Sequence, residues 1–467
     1  MARQISAQQL ARMLGPWRGA ADRLDEALAA AVRDLVDAAL LPEATTLPPQ
    51  RQLATTLGVS RGTVSAAYDA LVAADYAVAR QGSGTQLHRR HAGEVPGGGR
   101  LFSLAAGGEA QVDLSSGALP ASDLVADAWA ATTAHDLAPY LPADGYFPAG
   151  LPPLRTAIAR QLTAEGHPTE PGQLLITSGA QQAVWLIAHT LLSHGDRIAV
   201  EDPTYRGALE AFTGAGLALT GVRTTSAGID ADQLRALRRR GHTALYCQPA
   251  VHNPTGRILG PQARRALGAL VDELGLLAVE DCSSRDLVLS GGPCPARGLG
   301  GLVDPDRLVT VGSTSKLFWG GIRVGWIRAA EPLVRKLTQA KKAVDLSTSL
   351  LDQMLLLDLM RHLDRARALR NAMLRERLDA AHAQLKAVFP DWRWENPQGG
   401  TGLWVDTGLN AVELDARART VGIKLAPGPT FSVYDGFTTY LRLPVRHDAG
   451  QLATALVVLR DLVAGRR

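Results

Sequence analysis

The sequence predicts an N-terminal winged helix-turn-helix unit, mostly α-helical, followed by a larger α/β domain. Three observations predict this division. The first ninety residues hold three helical patterns and then an alternating hairpin pattern. A glycine-rich stretch without periodicity comes next. The remainder alternates short apolar runs with helical patterns, which indicates a largely parallel sheet. A chain of 467 residues also exceeds what one hydrophobic core usually supports.

The N-terminal unit is assigned to residues 20–88. Its first helix starts near Leu24 and ends before Pro42, and a Pro-Pro pair opens a short second helix. Gly58 makes the turn, and Ser60 is a natural N-cap for a third helix. The buried stripe of that third helix is predicted to be Val64, Ala67, Tyr68 and Leu71. The segment YAVARQGSGTQL then alternates on both sides of QGSG, which predicts a hairpin.

Residues 89–112 are predicted to form a flexible linker, because they are rich in glycine and lack periodicity. Residues 113–467 are assigned to the α/β domain. Six of its runs are typical of strands: QLLITSG, DRIAVED, TALYCQP, GLLAVED, RLVTVGS and VGWIRAA. Several of them end in polar or charged residues. Ligands of open α/β sheets bind at the carboxyl ends of strands, so the functional site is predicted there.

Composition narrows the function classes. The net charge is +4, and the first hundred residues carry eleven Lys and Arg against nine Asp and Glu, so any DNA contact depends on placement of charge. The sequence contains no run of eighteen apolar residues, about the length needed to span a membrane, and its N-terminus lacks the pattern of a secretory signal. These two observations predict a cytoplasmic protein. Three cysteines without a CxxC spacing predict reduced thiols, with neither disulfides nor a metal site.

Lys316 is the first candidate for chemistry. It lies in GSTSKLFWGGIRVGW, where an apolar setting disfavours the charged amine and makes it a better nucleophile toward an aldehyde. Taken alone, a lysine is more commonly a solvated surface group. Its neighbours Ser313, Ser315 and Arg323 could bind a dianionic phosphate, which strengthens the functional interpretation.

Further candidates follow the other strand-like runs. Asp281, after the apolar LLAV, could pair with a pyridinium nitrogen, or it could cap a helix. Asn253 could donate to a phenolate oxygen or form an Asx turn before a proline. Ala180 and Gln181 open a helix whose N-terminus could bind phosphate. Tyr205 could lie flat on an aromatic cofactor or merely pack.

With these motifs in order, residues 113–467 resemble the fold-type I aminotransferases that use pyridoxal 5′-phosphate. The resemblance implies that Lys316 forms the Schiff base, Asp281 pairs with the pyridine nitrogen, Asn253 donates to the 3-hydroxyl and Tyr205 stacks on the ring. It also implies that Arg442, in YLRLP, binds a substrate carboxylate. The residues implied around the phosphate are Ala180, Gln181, Ser313, Ser315 and Arg323.

The segment from residue 47 to residue 85 resembles the winged helix of the GntR family of bacterial repressors. Joined in this order, the two parts resemble the MocR subfamily. That subfamily often carries a segment similar to EDPTYRGAL. The resemblance implies that Arg206, in this segment, binds an anionic amino compound in addition to Arg442. The predicted DNA contacts lie at the start of the recognition helix, at the preceding helix and at the hairpin tip: Ser60, Arg61, Gly62, Thr63, Ser65, Arg51, Arg80 and Gly82.

The chain departs from the aminotransferase pattern in two places. Ser283 and Ser284 stand where related proteins have a tyrosine that donates to the phenolic oxygen of the cofactor. Loss of that donor is expected to weaken transamination. The tyrosine that reaches across the family's dimer to the phosphate corresponds to Tyr146 only with a shift of one residue.

The favoured hypothesis is a transcriptional regulator that senses pyridoxal phosphate itself or an amino compound that forms an aldimine with it. Such an amine would displace Lys316 and engage Arg442 or Arg206. We expect a homodimer that binds two half-sites of a double-stranded DNA operator. Two alternatives stay open: an active aminotransferase with an accessory DNA-binding domain, and a dimerisation module that has lost the cofactor. A half-reaction without turnover would be compatible with the sensor.

Overall fold

The computed structural model describes residues 5–14, 17, 24–37, 41, 45–73, 76–80, 84–87, 112–225, 228–290 and 295–465. The chain divides into two compact units, Met1–Gly99 and Arg100–Arg467. The predicted linker therefore lies outside the described residues except for Val112, which begins a strand. The elements of the first unit are α1 (Ala7–Leu14), α2 (Leu24–Asp37), α3 (Gln50–Leu57), α4 (Arg61–Ala73), β1 (Ala77–Arg80) and β2 (Gly84–Leu87).

The first unit has the predicted winged helix-turn-helix fold. β1 and β2 pair antiparallel, and the predicted stripe of α4 is buried. Gly58 ends α3 at φ 64°, a left-handed conformation that glycine adopts without strain. The hydroxyl of Ser60 accepts the main-chain N–H of Thr63 at 3.0 Å, which caps α4 as predicted. This cap fixes the start of α4.

Helix α1 was not predicted. Its Leu10 is fully buried in the apolar core of the first unit, and the main-chain N–H of Ile5 bonds to the carbonyl of Thr46. The folded unit therefore begins before residue 20, the boundary predicted from the sequence. The segment is short, and it obtains its stability from packing against α2 and α3.

The second unit is an α/β fold. Its helices are α5 (Asp123–Ala131), α6 (Ala134–Leu137), α7 (Pro152–Ala164), α8 (Ala180–Thr190), α9 (Arg206–Gly214), α10 (Ala231–Arg239), α11 (Pro261–Leu274), α12 (Glu331–Asp345), α13 (Leu350–Leu359), α14 (Leu363–Val388), α15 (Ala411–Arg419) and α16 (Ala449–Val463). Its strands are β3 (Val112–Asp113), β4 (Leu174–Thr177), β5 (Arg197–Asp202), β6 (Ala218–Thr225), β7 (Gly228–Ile229), β8 (His242–Cys247), β9 (Leu277–Asp281), β10 (Leu308–Ser313), β11 (Gly325–Arg328), β12 (Arg393–Trp394), β13 (Gly402–Asp406), β14 (Ile423–Lys424) and β15 (Tyr440–Pro444).

An eight-stranded sheet in the order β4-β11-β10-β9-β8-β5-β6-β7 organises this unit. The strands β10, β9, β8, β5 and β6 are mutually parallel, while β11 runs antiparallel to β4 and β10. All six predicted runs are strands of this sheet. β6 was missed, because ALTGVRTT is interrupted by glycine and arginine and is only partly buried.

The sheet brings the carboxyl ends of several strands to one edge. Asp281 ends β9 and pairs with Val311 of β10. Gly325 pairs with Ser313 at the end of β10 and with Thr177 at the end of β4. A separate antiparallel sheet, β12-β13-β15, carries Arg442 opposite Trp404. In the part of the chain that is described, no helix has the length and apolar character to cross a membrane.

Candidate active site

A cavity of about 130 Å³ lies at this edge of the sheet. Six residues singled out from the sequence line it: Tyr205, Arg206, Asn253, Ser284, Lys316 and Arg442. They come from separate parts of the chain, so the cavity exists only in the folded unit.

Lys316 has the properties of a reactive amine. Its Nζ donates a hydrogen bond to the main-chain carbonyl of Gly117 at 3.0 Å. Burial, followed by the charges of Arg442 and Arg206, lowers the pKa of Lys316 to about 7, against the opposing effect of Asp281. A neutral amine is the nucleophilic form, and near neutral pH a substantial share of Lys316 is in it.

Two buried arginines share this cavity with the lysine. Nη2 of Arg442 donates to the hydroxyl of Thr401 at 2.6 Å, and Nη2 of Arg206 donates to the carbonyl of Ser115 at 3.2 Å. Burial and then the charge of Arg206 lower the pKa of Arg442 to about 10. No ion pair to Arg442 is found within the described ranges. The cavity is therefore a cationic environment that favours an anionic ligand.

Asp281 is almost fully buried beside the cavity. Its Oδ1 accepts the main-chain N–H of Ser283 at 2.8 Å, and its Oδ2 accepts the hydroxyl of Tyr246 at 2.7 Å. The carboxylate is close enough to raise the pKa values of both Lys316 and Tyr205. A buried carboxylate that still has lone pairs can accept a further hydrogen bond from a cationic ring N–H.

Donors suited to a phosphate converge where β4 and β10 end. Helix α8 starts at Ala180 after Gly179, and no side chain caps its first turn. Nη2 of Arg323 lies 2.5 Å from the carbonyl of Ser178, and a Cβ on Gly179 would come 3.1 Å from the same guanidinium nitrogen. The hydroxyl of Ser313 donates to that of Ser315 at 3.1 Å. The helix terminus, the two hydroxyls and an exposed guanidinium are the groups near these strand ends that suit a dianion.

Tyr205 and Asn253 occupy loops that follow β5 and β8. The hydroxyl of Tyr205 donates to Oε1 of Gln181 at 3.1 Å, which links the ring to the first turn of α8. The main-chain N–H of Asn253 bonds to Oε1 of Gln248 at 3.3 Å, and Asn253 lines the cavity. The tyrosine and the asparagine thus border the space beside Lys316.

The two departures from the family pattern are visible in the structure. Ser284 lines the cavity, while the main-chain N–H of Ser283 donates a hydrogen bond to Oδ1 of Asp281. Tyr146 is 55% exposed and does not line the described cavity.

Three features of the site were missed from the sequence: the carbonyl of Gly117, the hydroxyl of Thr401 and the ring of Phe431. The centroid of the Phe431 ring lies 5.6 Å from Cζ of Arg206. The only signals were the small-residue stretches SSG (115–117) and GGTG (399–402). They permit close approach of backbone to ligand, but they resemble ordinary loops.

The predicted DNA contacts lie in the first unit. Arg51, Ser60, Arg61 and Gly62 are exposed, and Thr63 and Ser65 are half-buried. Their positions are the first turns of α3 and α4. The backbone of Arg80 ends β1, and Gly82 lies outside the described residues.

The donor set of the second unit fits pyridoxal 5′-phosphate. It combines an amine of lowered pKa, a buried carboxylate, an aromatic ring, an amide and donors suited to a phosphate, which are the groups that the aldehyde, ring nitrogen, ring face, phenol and phosphate need. Gly207 supports the fit, because a Cβ there would overlap Oε1 of Gln181 and come 2.5 Å from the Tyr205 hydroxyl. Any larger residue at position 207 would push these groups out of place.

Comparison with known proteins gives two family matches. The family described as aminotransferase class I and II matches residues 109–459, and the family described as bacterial regulatory proteins, gntR family, matches residues 24–87. The two matches follow the same order as the two structural units.

Individual relatives include regulators and an enzyme. The regulator TauR of Rhodobacter capsulatus is 29% identical over 417 residues, covering 82% of this chain and 84% of TauR. The probable rhizopine catabolism regulatory protein MocR of Rhizobium meliloti is 28% identical, covering 61% of this chain and 60% of MocR. The solved α-aminoadipate aminotransferase LysN of Thermus thermophilus, complexed with N-(5′-phosphopyridoxyl)-L-leucine, has a TM-score of 0.69 at 30% identity, covering 76% of this chain and 92% of LysN.

Proposed function

Because the chain belongs to the aminotransferase class I and II family and carries a GntR-type regulatory domain ahead of that fold, we propose that it is a MocR-type transcriptional regulator that binds pyridoxal phosphate. It senses either pyridoxal phosphate or an amino compound that reacts with it. One observation carries the proposal: Lys316, with a pKa of about 7, shares a cavity with Arg206 and Arg442 in a chain that begins with a DNA-reading fold.

The residues of the cavity divide the work of holding the cofactor. Bound pyridoxal phosphate supplies an aldehyde that bonds reversibly to amines and a ring that withdraws electrons. Lys316 offers the amine, Asp281 accepts a hydrogen bond from the ring nitrogen, Asn253 donates to the phenolic oxygen and Tyr205 covers one ring face. The phosphate is held by the main-chain N–H groups of Ala180 and Gln181 with the side chains of Ser313, Ser315 and Arg323.

The two arginines select the effector. Arg442 and Arg206 place two buried cationic groups beside Lys316, so an amine that also carries an acidic group gains charge-assisted hydrogen bonds when it enters. To act as a signal, this compound must bind the DNA-competent and incompetent arrangements of the protein unequally. The departure at Ser283 and Ser284 favours sensing over sustained turnover, because the phenol donor of related enzymes is absent there.

The regulator is proposed to work in the cytoplasm as a homodimer. Several large apolar side chains of the second unit are exposed on or next to elements that pack in one core cluster with Leu317 and Phe318: Trp129, Leu141, Tyr146, Trp319 and Leu351. Trp319 is three residues from Lys316, so a partner covering it would border the cofactor site. A dimer would present two recognition helices to two half-sites.

Cofactor binding is tested first with Lys316→Ala. Wild-type protein incubated with pyridoxal phosphate should acquire the visible absorption that the cofactor shows when a lysine amine is bonded to its aldehyde. Lys316→Ala should lack it, while Lys336→Ala, at an exposed position of α12, should retain it. Wild-type protein that neither absorbs nor retains the cofactor on gel filtration would refute the proposal.

DNA reading is tested with Arg61→Ala. Footprinting upstream of the gene itself and its neighbours identifies the operator, and fluorescence anisotropy measures the affinity. If Arg61 contacts a phosphate, its loss should weaken binding and lower the slope of log affinity against log salt by about one. Arg375→Ala, at an exposed position of α14, is the control. Binding that depends on neither Arg61 nor salt would contradict the assignment.

A catalytic role as an aminotransferase is the second candidate, favoured because Lys316 and Arg442 line one cavity and the buried carboxylate of Asp281 acts electrostatically on Lys316. It predicts many turnovers with an amino donor and a keto acid, where the sensor gives at most one equivalent of product per protomer. Steady-state and single-turnover assays across common amino acids separate the two.

A further inference from the structure

Tyr246 links strand β8 to Asp281, the residue proposed to contact the cofactor, at the end of the neighbouring strand β9. Its side chain is fully buried, and its ring packs edge-on against Phe212 with the centroids 5.5 Å apart. The parallel register pairs Tyr246 with Val279, two residues before Asp281. The phenol crosses that interval and donates to Oδ2 of Asp281 at 2.7 Å. A large buried side chain thus aims its one polar atom at a residue of the site.

The direction of this hydrogen bond is fixed by chemistry. A phenol O–H donates and a carboxylate oxygen accepts, so Tyr246 is the donor. Burial, and then the charge of Asp281, raises the pKa of Tyr246 well above its usual value, so the phenol keeps its proton. With the main-chain N–H of Ser283 on Oδ1, each oxygen of Asp281 has one protein donor. Donors to both oxygens fix the orientation of the carboxylate.

We propose that Tyr246 is a positioning residue for the cofactor: it holds the carboxylate of Asp281 in a fixed orientation, so that this carboxylate can accept a hydrogen bond from a protonated pyridine nitrogen. The inference rests on the proposed function, because it needs pyridoxal phosphate as the ligand. Among the described residues, Tyr246 is the only tyrosine whose hydroxyl bonds to Asp281. Tyr246 does not take the place of the tyrosine that the family has where this chain has Ser283 and Ser284. Its hydroxyl contacts only the carboxylate of Asp281, while Ser284 lines the cavity.

The rival explanation is that Tyr246 only fills the core beside Phe212. Tyr246→Phe separates the two, because it keeps the ring and removes one oxygen atom. If the phenol serves the cofactor, its loss should weaken binding of pyridoxal phosphate about tenfold, as expected for one charge-assisted hydrogen bond. The effect should also require the ring nitrogen, since Asp281 contacts the cofactor through that atom.

The experiment therefore measures two ligands on each protein by equilibrium dialysis: pyridoxal phosphate and its 1-deaza analogue, in which CH replaces the ring nitrogen. Tyr246→Phe should lose about tenfold in affinity for pyridoxal phosphate and little for the analogue. Tyr68→Phe is the matched control, since it removes another buried phenol, bonded to the carbonyl of Pro48 in the first unit, and should change neither affinity. The result is the ratio of the two affinities measured on the same variant. Partial unfolding lowers both affinities equally, so it does not change this ratio.

The outcomes are distinct. Equal losses for both ligands would mean that Tyr246 acts only through packing, and unchanged affinity for both would mean that its hydroxyl is dispensable; either result overturns the positioning role. Failure of the wild-type protein to bind pyridoxal phosphate at all would instead refute the proposed function, and this inference with it.

Discussion

The amine of Lys316 and the carbonyl of Gly117 form a hydrogen bond across 199 residues of sequence. Gly117 also lies against Arg442, since a Cβ built on it would overlap Nη2 of that guanidinium. One glycine thus contacts the two groups proposed to meet the cofactor and the effector.

Gly117→Ala should impair recognition of acidic effectors more than binding of the cofactor. The added methyl group must displace Arg442, because the guanidinium is buried and its neighbours are packed. Alanine and ethylamine are suitable probes, since both have an amine and only alanine has a carboxylate. The change in visible absorption of the cofactor-loaded protein measures their binding. The preference for alanine should fall about tenfold, as expected for one weakened charge-assisted hydrogen bond, and an unchanged preference would exclude this contact.

Uptake of pyridoxal phosphate should depend on pH through Lys316. Its amine reacts when neutral, and its pKa lies near 7 rather than at the 10.5 of an ordinary lysine. The rate of uptake should therefore rise through about pH 7 and level off about one unit higher. Arg442→Gln removes a nearby positive charge, so the midpoint should move upward. A midpoint that stays the same in this variant would contradict the electrostatic explanation.

Glu201 should make the protein less stable at alkaline pH. Burial raises its pKa from 4.5 to about 7, so the folded state binds a proton that the unfolded state has released. This stabilisation is complete below pH 4.5 and is lost as pH rises through 7. Urea unfolding at about pH 5.5 and about pH 8 should show that Glu201→Gln removes about 2 kcal/mol of this difference. The pKa of His252 is lowered to about 4, so this residue makes the protein more stable as pH rises. Because His252 is present in both the wild-type protein and Glu201→Gln, its effect cancels in the comparison.

Lys341 should stabilise, through a chain of hydrogen bonds, the segment before α8 that is proposed to bind the phosphate. It is fully buried and donates to Asp345 at 2.5 Å, while Asp345 accepts from Gln182, and Gln182 accepts the main-chain N–H of Ser178. Lys341→Met leaves the carboxylate without its cation and should cost about 1–3 kcal/mol in urea unfolding. The double variant with Asp345→Asn should recover part of that loss. Additive effects of the two substitutions would show that the pair is not coupled.

Gly62→Ala should separate stability from DNA binding. The nearest atom to an added Cβ is the Ser60 hydroxyl oxygen at 3.5 Å, and φ is not in the left-handed region, so the protein itself accepts alanine. Alanine should stabilise the helix by up to about 0.5 kcal/mol. If the first turn of α4 approaches DNA closely, operator affinity should fall nonetheless. Thermal unfolding and anisotropy measure the two effects, and unchanged affinity would place Gly62 away from the DNA.

Local pattern was sufficient for the three helices and the hairpin of the winged helix-turn-helix fold and for six strands of the large sheet. Proline, glycine and serine mark the ends of α3 and α4, and the apolar runs mark the strands around the site. α1 and β6 were not predicted, because a short helix and a partly buried strand depend for their stability on packing against neighbouring elements. The shared site of Asn253, Asp281, Lys316 and Arg442 was predicted from their order along the chain together with the resemblance to the aminotransferases.

The sequence by itself determined which side chains are available: one lysine among small polar residues, a carboxylate at a strand end, and arginines in recognisable segments. Only the tertiary structure decided how those side chains behave. The lowered pKa of Lys316, the pairing of Tyr246 with Asp281 and the contact of Arg442 with Gly117 all depend on burial and on charges brought together from remote segments. Electrostatic effects follow distance in space and exclusion of water, and linear spacing reports neither.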